Sequence, residues 1–420
     1  MIRTFLRLTA AFTIIMLARV AGAAPATGQI TFAQLLSQIE RTSPRLADAK
    51  AALATAKSEY TGSRALQNPE LFYSEENLRL SSGDETERTT GITQDMSFLW
   101  KAPQSIRSFS ARYEAASMRF QEEKLSVQCD VLIQLKKLSK LNSLIGMTDS
   151  ISLTLTSLFS SINARQMVGD IRSLDVVRFK QALLHFAGQR ASLREDYYTV
   201  IQELMELTGL NAETVDKVFV GQTNLALPFG NVTEALEFSA EHSFALKFAR
   251  FESVAANREV SARKWSMVPN VSLGLGRKVI NGGIDGPVVE AQIELPLFSQ
   301  GRSELSAAAA QRNRAIVFYA TRKNTVRESI VQMWRELDQI EADLELSTSS
   351  SGMENANQAI KMYSLGELSA LETVDMLQSI LESESTLADL GLRQQALIRG
   401  IIVASGYPIF DELASGSGKR

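Results

Sequence analysis

The chain has 420 residues, 45% hydrophobic and 22% charged, with 9 Pro and 24 Gly. That balance excludes a disordered chain, a collagen and a disulfide-stapled miniature. A formal net charge of −3 leaves no basic footprint for nucleic acid, and one cysteine, Cys129, excludes an intrachain disulfide and a multi-cysteine metal site.

The chain opens with Arg3 and Arg7, an apolar run from Leu8 to Leu17, and Ala21-Gly22-Ala23. A positive start, a short apolar stretch and a small-x-small motif predict a secretory signal peptide over 1–23. The competing reading is a short N-terminal anchor, against which Pro25 and Gly28 argue. No cysteine follows to carry a lipid. No later run of about 18 apolar residues predicts a transmembrane helix, so any membrane passage must use strands closed into a barrel.

A short helix is expected over 31–41. Thr42-Ser43-Pro44 then opens a second helix, with Ser43 as N-cap and Pro44 in the first turn, running to about Ala65. Leu71 and Tyr73 begin a strand. Ile92, Gln94, Met96 and Phe98 mark the next, with Ser81-Ser82-Gly83-Asp84 in the loop between. Beyond Pro103 there is no proline as far as Met167, which predicts a very long helix. Val168-Gly169 turns the chain, and a helix returns to about Leu207.

The same grammar then recurs. Helices are expected over 232–241 and from Ser243 to Trp265. Val271, Leu273 and Leu275 alternate with Ser272, Gly274 and Gly276. Val289, Ala291, Ile293, Leu295 and Leu297 alternate with Glu290, Gln292 and Glu294. A period of two is a strand with one wet face, and Asn281-Gly282-Gly283 supplies the turn. From about Ser303 to Leu365 there is again no proline. Such a stretch, as one helix, would reach roughly 95 Å, beyond any globular core, so it must pack lengthwise on others. Leu365-Gly366 turns it back to about Val403. Gly146 and the Ser-rich segment 347–352 could each be a helix break or the hairpin tip itself; the Gly169 and Gly366 tips are preferred because they alone repeat.

The halves align directly. Pro69 meets Pro269, Gly169-Asp170-Ile171-Arg172-Ser173-Leu174-Asp175 meets Gly366-Glu367-Leu368-Ser369-Ala370-Leu371-Glu372, and Thr208-Gly209 meets Ser405-Gly406, each about 200 residues on. This divides the chain into a signal peptide (1–23), a first repeat (24–210), a second repeat (211–408) and a tail (409–420). Each repeat contributes one hairpin (about 69–98 and 269–298). Four strands cannot close a channel-bearing barrel, which needs about eight. Strands must therefore be pooled among copies, and three chains would give twelve. The alternative is a periplasmic coiled-coil scaffold with two incidental hairpins and no channel.

These features resemble the TolC-type outer-membrane efflux factors of Gram-negative envelopes, including the branch that accompanies heavy-metal cation pumps. The resemblance covers about residues 30–408. It rests on Ser43-Pro44, Asn68-Pro69-Glu70-Leu71, Pro296-Leu297-Phe298 with Gly301-Arg302, and the paired tips. It implies a mainly α fold with a small β part. The long helical hairpins would form an α-barrel, and four strands per chain would enter a trimeric twelve-stranded outer-membrane β-barrel. It further implies a homotrimer that meets outer-membrane lipid, a periplasmic adaptor and an inner-membrane pump, and acts as a passive exit duct. By position, Val168-Gly169 and Leu365-Gly366 would be adaptor-contact tips, a role compatible with plain helix stops. Glu372 and Asp375, six and nine places after the second tip glycine, would ring the periplasmic aperture, with Asp175 in the equivalent place of the first repeat; the competing reading is a solvated helix face. Arg178 replaces the second acid there. Leu368 stands where some members have a basic latch residue, and Ser97 stands where relatives often show proline.

Nothing points to catalysis or a cofactor. There is no P-loop, GxSxG, HExxH or dinucleotide fingerprint. Gly274-Leu275-Gly276 fits a bulge or close packing. His185 and His242 read as surface or packing residues, and Cys129 as a buried small apolar side chain.

Overall fold

The computed structural model describes residues 32–80, 83–169, 172–216, 224–281, 283–295, 298, 301–346 and 352–410. The expected leader, most of the tail, and Pro296-Leu297 lie outside them. The elements follow in the predicted order. Helices α1 (Phe32–Thr42) and α2 (Pro44–Gly62) precede strands β1 (Glu70–Leu80) and β2 (Gly83–Asp95). Helices α3 (Phe98–Met167), α4 (Ser173–Thr208) and the short α5 (Ala212–Asp216) follow. The second half supplies α6 (Val232–His242), α7 (Phe244–Ser266), β3 (Val271–Ile280), β4 (Ile284–Ile293), α8 (Arg302–Leu346), α9 (Gly352–Ser364) and α10 (Ala370–Ser405). The chain is mainly helical with one small sheet.

The four strands form one antiparallel sheet in the order β1-β2-β3-β4. All the helices lie to one side of the strand bases, because β1, β2, β3 and β4 each join a helix there. α3 is the spine. Its 70 residues span roughly 105 Å at helical rise. It packs on α2 and α7 near the sheet, on α10 at mid-length and on α4 towards the far end. A small buried residue opens each tight approach, as with Ala111 and Ala115 on α3, and Ala249 and Ala255 on α7.

Two cores hold the middle of the rod. Leu125, Cys129 and Leu132 of α3 meet Ile330 and Leu337 of α8 and Ile398, Ile401 and Ile402 of α10. Beside them, Leu35 and Ile39 of α1, Leu46 of α2 and Val200 and Leu204 of α4 close on Val127, Val131 and Leu135. A third core runs down both hairpins, joining Ile151, Leu155 and Ile162 to Phe179 and Phe186, and these to Ala356, Ala359, Val374, Leu377 and Leu381. Ion pairs knit the middle from outside. Arg45 reaches Glu123 at 2.7 Å and Asp130 at 3.1 Å, while Arg399 holds the other oxygen of Asp130 at 2.7 Å.

The two halves share a junction. Gly209 ends α4 at φ 70° and Gly406 ends α10 at φ 75°. A Cβ on Gly406 would come within 2.7 Å of the His242 carbonyl oxygen, and one on Gly209 would overlap that of Thr42. Each glycine thus seats against the kink between the two short helices of its own half. Ser43 and Ser243 lie buried at those kinks, and neither hydroxyl makes a hydrogen bond. Ser43 therefore holds the N-cap position of α2 without the expected side-chain cap.

One expectation needs correction, and two alternatives left open by the sequence narrow. Phe98 begins α3 rather than continuing β2. The Asp95 carboxylate accepts the Ser97 N–H at 2.7 Å, which stops the strand and starts the helix. Gly146 causes no break, since α3 runs through it; the Ser-rich segment 347–352 lies, but for Gly352, outside the described residues. The pairing is regular through Gly274 and Gly276, so close packing rather than a bulge accounts for them.

Candidate functional site

The sheet has two chemically distinct faces. In the strand register Leu71 pairs with Ile92, Ile92 with Leu275, and Leu275 with Val289. Directly opposed residues share a face, so these form one apolar row, exposed at 76%, 54%, 68% and 76% respectively. Leu273 and Ile293 extend it towards the helices. Tyr73 follows on the turn side, then the Glu75–Arg88 pair at 3.2 Å and the Arg277–Asp285 pair. An apolar band fringed by an aromatic and then by charges suits contact with lipid. The opposite face is polar near the strand bases, with Glu70, Thr93, Asp95, Ser272, Glu290 and Gln292, and mixed further out, where Phe72, Val288, Leu78 and Ile284 lie among polar residues and Lys278 pairs with Glu87. Its base forms a wholly polar concavity of about 420 Å³. Beyond β1 and β4 no further strand pairs among the described residues, so both edges of the sheet are open.

The other end of the rod carries the predicted tips. Val168-Gly169 ends α3, and Leu365-Gly366 ends α9. Gly169 at φ 82° and Gly366 at φ 78° take the left-handed conformation that stops a helix. The Gly169 N–H donates to the Gln166 carbonyl at 2.9 Å, and the Glu367 N–H reaches back to Met362 at 2.9 Å. Val168 is 83% and Leu365 65% exposed. Met167, Leu174, Val177 and Met376 are exposed beside them, so each tip is more apolar than its glycine pair suggested. Their signal was present as large apolar residues in otherwise polar turns.

The acidic positions have a local structural role. Glu372 is the third residue of α10, and Ser369 is its N-cap. The Ser369 hydroxyl accepts the Glu372 N–H at 3.3 Å, and the Glu372 carboxylate accepts the Ser369 N–H at 2.8 Å. This capping box holds the Glu372 carboxyl below its ordinary value, through the hydrogen bonds from Ser369. The spacing Ser369-x-x-Glu372 carried that signal and went unread. Asp375 lies exposed one turn on. Asp175 takes the same first-turn place in α4, but behind Arg172, which gives no side-chain cap. Both first-turn acids also face a helix N-terminus, which favours negative charge.

Groups that sequence set aside stay outside both surfaces. His242 stacks on Phe238 at 4.1 Å and His185 makes an edge contact with Phe186. Cys129 is fully buried, and burial pushes its thiol up to about 12. No described helix is long and apolar enough to cross a membrane.

No family model matches the chain, and no curated protein does. Solved structures do. The outer-membrane channel OprN matches at a TM-score of 0.73 and 18% identity, covering 89% of each chain. The outer membrane protein VceC from Vibrio cholerae gives 0.70 and 17%, over 89% of this chain and 96% of that one. The CmeC outer membrane channel of Campylobacter jejuni gives 0.71 and 13%, over 95% and 94%. The likeness spans sheet, rod and tips together, and the TolC-type fold expected from the sequence is the fold of this chain.

Proposed function

We propose that this chain is the outer-membrane component of a tripartite efflux system, a passive exit duct for cations or small molecules. An inner-membrane pump would deliver them through a periplasmic adaptor. One observation carries the reading. A four-stranded sheet with both edges open and an exposed apolar row stands at the end of a rod of roughly 100 Å. A lone copy leaves strand edges unpaired and apolar side chains in water. A ring of three closes twelve strands, turns the apolar row to lipid and the polar face to a lumen.

The rod supports the same ring. α2 meets α3 through Leu46 and Tyr60, and leaves Ala47, Ala51, Ala54 and Ser58 exposed. α8 meets α7 and leaves Ile316 and Val317 exposed. In the proposed ring these two surfaces would meet, the small residues of one facing the bulk of the other. The segments 24–210 and 211–408 are the two repeats of this subunit, with 1–23 a leader that directs export and 409–420 a tail. The tips at Val168-Gly169 and Leu365-Gly366 meet the adaptor, and Glu372, Asp375 and Asp175 line the aperture. No enzymatic step or cofactor is involved.

The test is fractionation of cells expressing the full chain, with gel migration before and after heating. A heat-sensitive trimer in the outer membrane is expected. A soluble periplasmic monomer would favour a scaffold without a channel.

A further inference from the structure

Glycine weakens a strand interior, costing about 1 kcal/mol each, yet Gly91, Gly274 and Gly276 sit together on the central strands β2 and β3. They share the polar face. Phe72 on β1 pairs with Gly91, and Gly91 with Gly276. The Phe72 ring extends over Gly91 of β2 and reaches β3. A Cβ on Gly276 would stand 3.2 Å from the ring, and one on Gly274 3.6 Å from it. Gly91 and Gly274 are buried although they lie in a single uncovered sheet, and Phe72 is only half exposed where its neighbours Leu71 and Tyr73 are exposed. The glycines thus form a recess that the ring fills. Phe72 is the one aromatic residue among the polar-face positions of the four strands.

The geometry points to this recess as the determinant of the barrel's bore: it stows Phe72 against the wall, so that molecules of the largest size can pass. The inference rests on the channel reading, in which the polar face lines the lumen. A ring that lies on the wall adds its thickness, whereas a ring denied the recess stands into the lumen, once from every copy. The three copies would then narrow the bore with an apolar constriction, the kind of feature that restricts pores. Passage of large solutes follows from the absence of three side chains, not from the presence of any.

The test uses Gln292→Cys, on the polar face near the strand bases and two rows below Phe72. Maleimide-polyethylene glycols of graded size are added to intact cells, and labelling is read on trimer recovered from the outer membrane. Cys129 is buried and stays silent. Adding Gly274→Val, which touches only side chains, is expected to slow labelling by the larger reagents on the order of tenfold. Adding Phe72→Ala to that variant restores the rate, and Phe72→Ala alone leaves it within about twofold of the parent. An assembled Gly274→Val trimer that labels at the parent rate overturns the inference. So does faster labelling by the larger reagents in Phe72→Ala alone, because the ring would then already stand in the bore. If Gly274→Val does not assemble, the Phe72→Ala measurement decides. Absence of any outer-membrane trimer in the Gln292→Cys parent defeats the channel reading itself, and the recess inference with it.

Discussion

Ser97 shows how much one side chain can settle. Its N–H donates to Asp95, its hydroxyl accepts the Val271 N–H at 3.2 Å, and its carbonyl accepts the Lys101 N–H at 3.0 Å. It therefore ends β2, starts α3 and ties both to β3. Proline in its place would keep only the carbonyl bond. Glu372 makes a similar choice at the tip. Its carboxyl is held below the ordinary range by Ser369, so its stabilising effect on the start of α10 is complete above the ordinary glutamate value near about 4.3. It is lost as pH falls through the lowered folded value. A pH series of amide exchange over residues 369–373 should show protection complete above the ordinary glutamate range and falling away as pH drops below it, and Glu372→Gln should flatten that profile. Cys129 gives a contrasting expectation. With its thiol pushed up to about 12 inside the core, iodoacetamide at neutral pH should leave the folded protein unmodified and label it only in denaturant.

At the scale of elements, the order of helices and strands was legible because proline, glycine and period punctuate the chain clearly. The tips were legible because Gly169 and Gly366 repeat. The end of β2 was not, because the apolar alternation continues through Met96 and Phe98 while the Asp95–Ser97 hydrogen bond turns the backbone. Composition could not tell whether Gly146 breaks its helix, since a single glycine costs a long, packed helix only about 1 kcal/mol. The candidate tip residues were found by position, but Glu372 was read for its charge alone and its capping role was passed over. The junction glycines yield a sharper prediction. Gly406→Ala adds a methyl against the His242 carbonyl at a left-handed φ, and should cost about 1–3 kcal/mol, seen as a lowered thermal midpoint. Gly146→Ala, in a continuous helix with open space around it, should raise that midpoint slightly.

For the whole molecule, the proposed aperture can be examined separately from the fold. Glu372→Gln with Asp375→Asn removes two charges per copy and keeps side-chain shape. Channels reconstituted in planar bilayers should then lose cation preference, with the reversal potential in a salt gradient shifting towards zero. An unchanged reversal potential would assign both acids to the helix start and the solvated face alone. The structural likeness at 13–18% identity fixes the fold without fixing the cargo.

The unbroken course of α3, from the sheet to the Gly169 turn, has a geometric corollary. Each residue in a helix advances the azimuth by about 100°. One alanine inserted into its lower half would leave every bond of the sheet in place and swing the first tip about a quarter-turn out of phase with the second. The sheet end and the tip end are therefore indexed to each other by count, as two gears keyed to one shaft.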